Sequence, residues 1–128
     1  MKLLLDTHTL LWLVEGSPNL SAAAQAALAD PANQLYLSVG SIWELVIKTG
    51  NKKLVLSDQV DVFVGKWTVV YQLALLSIDA PHALAVMGLP DHHRDPFDRI
   101  LIAQALVHGM TLVSADAKFA PYSVPILW

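Results

Sequence analysis

The chain holds eleven acidic residues among its 128, and four of them could build a reactive centre. Asp6 directly follows the apolar run Leu3-Leu4-Leu5, and Glu44 comes shortly after Leu35–Val39. Asp116 stands two residues beyond Thr111–Ser114, and Asp98 lies early in the segment that leads into that run. Four carboxylates sharing one pocket would repel one another strongly in a low dielectric unless cations held them. Oxygen-only ligands suit hard ions, meaning Mg2+ or Mn2+. Such a centre polarises a phosphoryl oxygen and activates water for in-line attack.

The elements that must position these acids alternate in type. Leu3–Leu5 reads as a buried strand, followed by a helix His8–Glu15 that stops at Gly16. Ser21 opens an alanine-rich helix closing near Asp30-Pro31. Leu35–Val39 has strand composition, and Gly40-Ser41 turns it into a helix reaching Thr49-Gly50. Ser57-Asp58 is expected to cap a long apolar helix, followed by a strand within Leu73–Ile78. Asp79-Ala80-Pro81 starts a short helix that stops at Gly88, before a polar loop over 88–97. Asp95-Pro96 then opens a helix that ends at Gly109, since proline is at home in a first helical turn. Thr111–Ser114 and Val124–Ile126 are the last strands. Strands alternating with helices imply βαβ units, a mainly parallel sheet and helices on both faces. Ligands then bind beyond the carboxyl ends of the strands. That rule puts Asp6, Glu44 and Asp116 on one rim; it does not place Asp98, whose helix begins from a loop.

Each acid also has a plainer explanation. Asp6 and Asp95 suit helix N-caps, and Ser41-Ile42-Trp43-Glu44 fits the capping-box pattern, which for Glu44 alone is the stronger reading. Asp98 suits the positive end of a helix dipole, and Asp116 a turn. Caps account for each acid singly, but not for so many on one rim. Both arginines, Arg94 and Arg99, bracket Asp98. They are candidates for bidentate grip on a phosphate, and equally for pairing with acids, Arg94 with Asp91 and Arg99 with Asp95. Adjacent His92-His93 without cysteine argues against zinc and for a loop shaping the mouth of the site. Trp12 and Trp43 are expected in core packing, with stacking on a bound base as the alternative.

Composition narrows the function classes. There is no cysteine, which removes thiolate zinc sites, disulfides and cysteine nucleophiles. The formal charge is −3, so no basic field supports tight duplex binding by charge alone. The apolar N-terminal run is too short for a signal peptide, and Lys66 and Gln72 interrupt the greasiest window, Val62–Ile78, which Asp61 and Asp79 bracket, so neither export nor a membrane span is expected. The expected address is the cytoplasm. Mean hydropathy is +0.49, which excludes disorder and leaves more apolar surface than one 128-residue domain easily hides. The helices His8–Glu15 and Asp58–Gln72 are the segments expected to carry that surplus to a partner.

The segments Leu4-Leu5-Asp6-Thr7-His8, Ser41-Ile42-Trp43-Glu44, His92-His93-Arg94-Asp95-Pro96-Phe97-Asp98-Arg99, Ala103-Gln104-Ala105 and Val113-Ser114-Ala115-Asp116 resemble the PIN-domain family. More narrowly, they are similar to its VapC-type toxins from bacterial toxin–antitoxin pairs. The resemblance spans essentially the whole chain. It implies a three-layer α/β/α fold and a Mg2+- or Mn2+-dependent ribonuclease. Asp6, Glu44, Asp98 and Asp116 fall on the family's acidic ligand positions, and Ser114 on that of a supporting hydroxyl. Thr7 and Thr9 are further hydroxyls near Asp6. As partners, the resemblance implies an RNA substrate, a second copy of the chain and a small antitoxin. Two other classes compete: a phosphatase with a nucleophilic aspartate, and a non-catalytic interaction domain whose acids only cap helices. The phosphatase wants a second Asp two residues after Asp6, where this chain has His8.

Overall fold

A computed structural model describes residues 1–128. Five strands, β1 (Lys2–Leu5), β2 (Gln34–Ser38), β3 (Ala74–Leu76), β4 (Thr111–Val113) and β5 (Ile126–Leu127), form one sheet in the order β3-β2-β1-β4-β5. Every neighbouring pair is parallel. The helices are α1 (Thr7–Glu15), α2 (Ala22–Ala29), α3 (Val39–Gly50), α4 (Val60–Val70), α5 (Ala80–Ala85) and α6 (Pro96–His108).

Successive side chains of a strand point to opposite faces, and β1 therefore feeds two cores. Leu3 and Leu5 join Leu10, Leu28, Leu45 and Phe63, contributed by α1 to α4, on one face. Leu4 joins Leu101, Ile102 and Ala105 of α6 on the other. A sheet buried on both sides needs apolar residues throughout, and all three leucines are fully buried. The result is three layers, α/β/α, as expected from the alternation.

The chain winds from β1 outward through β2 to β3, then returns to the other side of β1 for β4. Strand order therefore reverses between β1 and β4, which is where such sheets open a crevice at their carboxyl ends. Leu5 pairs with Val113 at that point, and the Asp6 amide donates to the Val113 carbonyl at 3.2 Å.

Several boundaries differ from the sequence expectation. Ser38, not Gly40-Ser41, starts α3, because its hydroxyl accepts from the Gly40 amide at 3.0 Å. α4 starts after Gln59 with no side-chain cap, so Ser57-Asp58 does not cap it. β3 keeps only three residues of Leu73–Ile78, and β5 starts at Ile126 rather than at Val124. The stops at Gly16 and Gly109 are as read: both adopt left-handed φ, +63° and +64°.

Gly40 lets α3 approach α6. A Cβ there would lie 3.1 Å from Ile100 Cγ2 and 3.3 Å from Ser38 Oγ. Elsewhere on α6, His82 and His108 are joined Nε2 to Nε2 at 2.7 Å, tying α5 to α6.

Candidate metal centre

Beyond the ends of β1 and β4 lies a cavity of about 300 Å3 with no apolar residue in its wall. Asp6, Glu44, Asp98 and Asp116 all line it, together with Thr7 and Asp95. α1 starts immediately after β1, so Asp6 both follows the strand and serves as the N-cap of α1. Its Oδ1 accepts from the Thr9 amide at 2.7 Å, and its Oδ2 from the Ser114 hydroxyl at 2.5 Å. Ser114 Oγ in turn accepts from the Asp116 amide at 3.0 Å, which ties the exit of β4 to that of β1.

Glu44 comes from α3. It is six residues past the Ser38 cap, so the capping-box reading of Ser41–Glu44 does not hold. Its two oxygens face the Thr7 hydroxyl, which donates to Oε1, and Lys48 Nζ, 2.9 Å from Oε2. Thr9 instead donates its hydroxyl to the Val113 carbonyl at 2.8 Å, a structural bond.

Asp98 arrives on α6. Asp95 caps that helix, accepting at one oxygen from the amides of Phe97 and Asp98 at 2.8 and 3.3 Å. The cap fixes the first turn and aims Asp98 at the crevice, which strand topology alone could not predict. Asp116 also caps a turn, accepting from the Lys118 amide at 2.9 Å. Capping and site membership are thus compatible for Asp6 and Asp116, whereas Glu44 caps nothing.

The electrostatics follow from this crowding. Burial pushes the Asp98 carboxyl up to about 7, with the neighbouring Asp95, Glu44, Asp6 and Asp116 charges adding to it. Burial also raises Asp6, partly offset by the hydrogen bonds from Ser114 and Thr9. A cation among these carboxyls would relieve the cost of ionising them together. The oxygen-rich lining suits a hard divalent ion, and ligand atoms of His93, Asp98 and Asp116 lie within 4.8 Å of one another.

One site residue escaped the acid pattern. His93 is buried, with Nε2 3.0 Å from Asp98 Oδ2 and 3.4 Å from Asp116 Oδ2. Its sequence signal is the His92-His93 pair in the polar loop, where the mouth of the site is expected. The two arginines part company. Arg94 lines the cavity. Arg99 turns away to donate to the carbonyls of Pro90, His93, Val86 and Leu89 at 3.0 to 3.4 Å. It lies 3.7 Å from Asp91 rather than pairing with Asp95, whose carboxylate is occupied as a cap. Arg99 thus organises the loop before α6 and has few donors left for an RNA backbone. Trp43 is 58% exposed, contrary to the expected core packing, and meets Phe97 edge-on at 5.4 Å; Trp12 packs against the core as expected.

The family model described as PIN domain matches residues 3–124. The chain belongs to the PIN domain family. Ribonuclease VapC22 of Mycobacterium tuberculosis is 29% identical over 127 residues, covering 95% of this chain and 92% of that protein. Among solved structures, VapBC2 from Rickettsia felis, bound to a DNA fragment from its promoter, superposes with a TM-score of 0.70 at 18% identity. That match covers 98% of this PIN domain and 97% of the other chain. FitAcB from Neisseria gonorrhoeae gives a TM-score of 0.66 at 21% identity, covering 97% and 95%. At these identities the structures establish the shared fold.

Proposed function

We propose that this PIN domain is a metal-dependent endoribonuclease, the toxin of a toxin–antitoxin pair. The observation that carries the proposal is the convergence of Asp6, Glu44, Asp98 and Asp116 on one polar cavity, with Asp98 pushed up to about 7. Helix capping alone leaves Glu44 unexplained. The likeness to Ribonuclease VapC22 supports RNA as the polymer. Held among these carboxylates, Mg2+ or Mn2+ would supply a Lewis acid for the scissile phosphodiester and a means of activating water.

The chain's own residues do the rest. Ser114 and Thr9 fix the Asp6 carboxylate, Thr7 and Lys48 fix Glu44, and the Asp95 cap fixes Asp98. Lys48, Arg94 and Lys118 line the same cavity and offer cations to an RNA backbone entering it. Partners follow from the relatives, several of which were solved as toxin–antitoxin complexes. An antitoxin covering the acidic pocket and a second copy of this chain are the partners proposed here. No helix is long and apolar enough to cross a membrane, and the proposed site of action is the cytoplasm.

The purified protein should cut single-stranded RNA with Mg2+ or Mn2+ and stop when EDTA is added. Asp6→Asn and Asp98→Asn each remove a ligand charge with little change of shape, and each should abolish cleavage while circular dichroism stays unchanged. Normal cleavage by both variants would falsify the assignment of the site.

A further inference from the structure

We infer that His93 is a positioning residue of the metal centre, orienting Asp116 beside Asp98 through a ring proton fixed on Nε2, and is not itself a metal ligand. The inference rests on the proposed role of these two aspartates as ligands.

The ring is held from both ends. Nδ1 accepts from the Asp95 backbone amide at 3.2 Å. A backbone N–H is always a donor, so Nδ1 must present its lone pair, and the single proton of a neutral imidazole sits on Nε2. That nitrogen is within hydrogen-bond reach of Asp116 Oδ2 at 3.4 Å and lies 3.0 Å from Asp98 Oδ2. It thus faces the two carboxylates that come from different elements, α6 and the exit of β4. A nitrogen that carries a proton has no lone pair for a cation. To ligate, Nε2 would have to pass its proton to Nδ1, which would then confront the Asp95 amide donor to donor. The cap of α6 therefore selects the tautomer of His93 through its backbone while its carboxylate holds the helix.

The backbone of His93 is fixed as well. Its amide donates to the Tyr122 hydroxyl at 2.8 Å, that hydroxyl donates to the Pro90 carbonyl at 2.8 Å, and Arg99 donates to the His93 carbonyl at 3.2 Å. The ring packs against Phe119 with centroids 5.5 Å apart. A loop residue is in this way tied down at both its backbone and its ring. Partners of this kind, which orient ligands without touching the metal, typically affect affinity by about 10- to 100-fold.

The test combines affinity and tautomer. Mn2+ binding is measured by calorimetry on the wild type, His93→Leu and His93→Gln, with the melting temperature of each metal-free protein alongside. His93→Leu removes the donor and should raise the Mn2+ Kd by about 10- to 100-fold. His93→Gln can return an N–H near the Nε2 position and should recover most of that loss. On the wild type labelled with 15N-histidine, NMR should show the Nε2–H tautomer of His93 without metal and with Mg2+ bound. This measurement needs no variant to fold. An unchanged Kd in His93→Leu overturns the inference, as does loss of the Nε2 proton on Mg2+ binding, which would make His93 a ligand. Equal losses in Leu and Gln, with equal falls in melting temperature, would mean His93 only supports the loop and would also overturn it. A wild type that binds no Mn2+ overturns the metal-centre reading itself, which separates the two failures.

Discussion

At the scale of the residue, Asp98 carries a clear electrostatic signature, and its pH consequence has a definite sign. Its carboxyl is pushed up to about 7 in the fold, against 3.8 for the ordinary group. Between those values the folded chain holds a proton that the unfolded chain has lost, so stability falls as pH rises through the window. Asp6 is shifted in the same direction by burial. The metal-free protein should therefore melt at a lower temperature at about pH 8 than at about pH 5, and Asp98→Asn should flatten that slope. A divalent ion favours the charged carboxylates, so the rise in melting temperature on adding Mn2+ should be larger at the higher pH. Thermal melts across the range, with and without Mn2+, check both parts. A metal-free stability that climbs with pH in the wild type would show that Asp98 is not strained by its neighbours.

At the scale of the element, the site depends on how closely α3 and α6 approach, because they deliver Glu44 and Asp98. Gly40 sets that approach, with Ile100 Cγ2 only 3.1 Å from where a Cβ would be. Gly40→Val should push the helices apart at a cost of about 1–3 kcal/mol, the range for an overpacked core. Its Mn2+-induced stabilisation should shrink at the same time, since Glu44 and Asp98 would no longer face one cavity. Urea unfolding and Mn2+ titration of the variant check this. A midpoint and metal response equal to the wild type would mean the contact is slack. The caps at this scale are partly readable from sequence. Asp6 and Asp95 are legible as N-caps because a short carboxylate before a helix has few other local uses. Ser38 is harder to tell from Ser41, since both are serines near the strand's end and only the backbone path distinguishes them.

At the scale of the whole molecule, the apolar surplus is real but differently distributed from the sequence expectation. The apolar residues of α1 are all drawn into the fold: Leu10 and Leu11 are buried, and Trp12, Leu13 and Val14 pack against the same core. The C-terminal Trp128 covers Trp12, with rings 5.6 Å apart, a contact between distant segments that local pattern cannot foresee. α4 does expose Val62, Val69 and Val70, as expected, while α3 exposes Trp43, Val46 and Ile47, which was not. These faces are suited to partner chains. Expression of the wild type should arrest growth of a bacterial host, whereas Asp98→Asn should be tolerated. The protein should also run as a dimer at micromolar concentration and co-purify with its antitoxin when the two are expressed together. A monomer that is harmless and captures no antitoxin would sink this reading.

What the sequence determined by itself was whatever depends on neighbours along the chain. Alternating apolar segments dictated a parallel sheet in a three-layer fold, glycines at 16 and 109 dictated where α1 and α6 stop, and the acids beside strand ends marked the rim that carries the acidic cavity. Tertiary structure alone decided what depends on distant segments meeting. Glu44 and Asp98 face one cavity because α3 and α6 approach closely at Gly40, and Arg99 is drawn away from it by carbonyls up to thirteen residues earlier. His93 lies beside Asp116, 23 positions along the chain, because the Tyr122 hydroxyl anchors its backbone. Sequence spacing fixes which face of an element a residue occupies. The packing of elements then fixes which faces meet, and a metal centre exists only where they do.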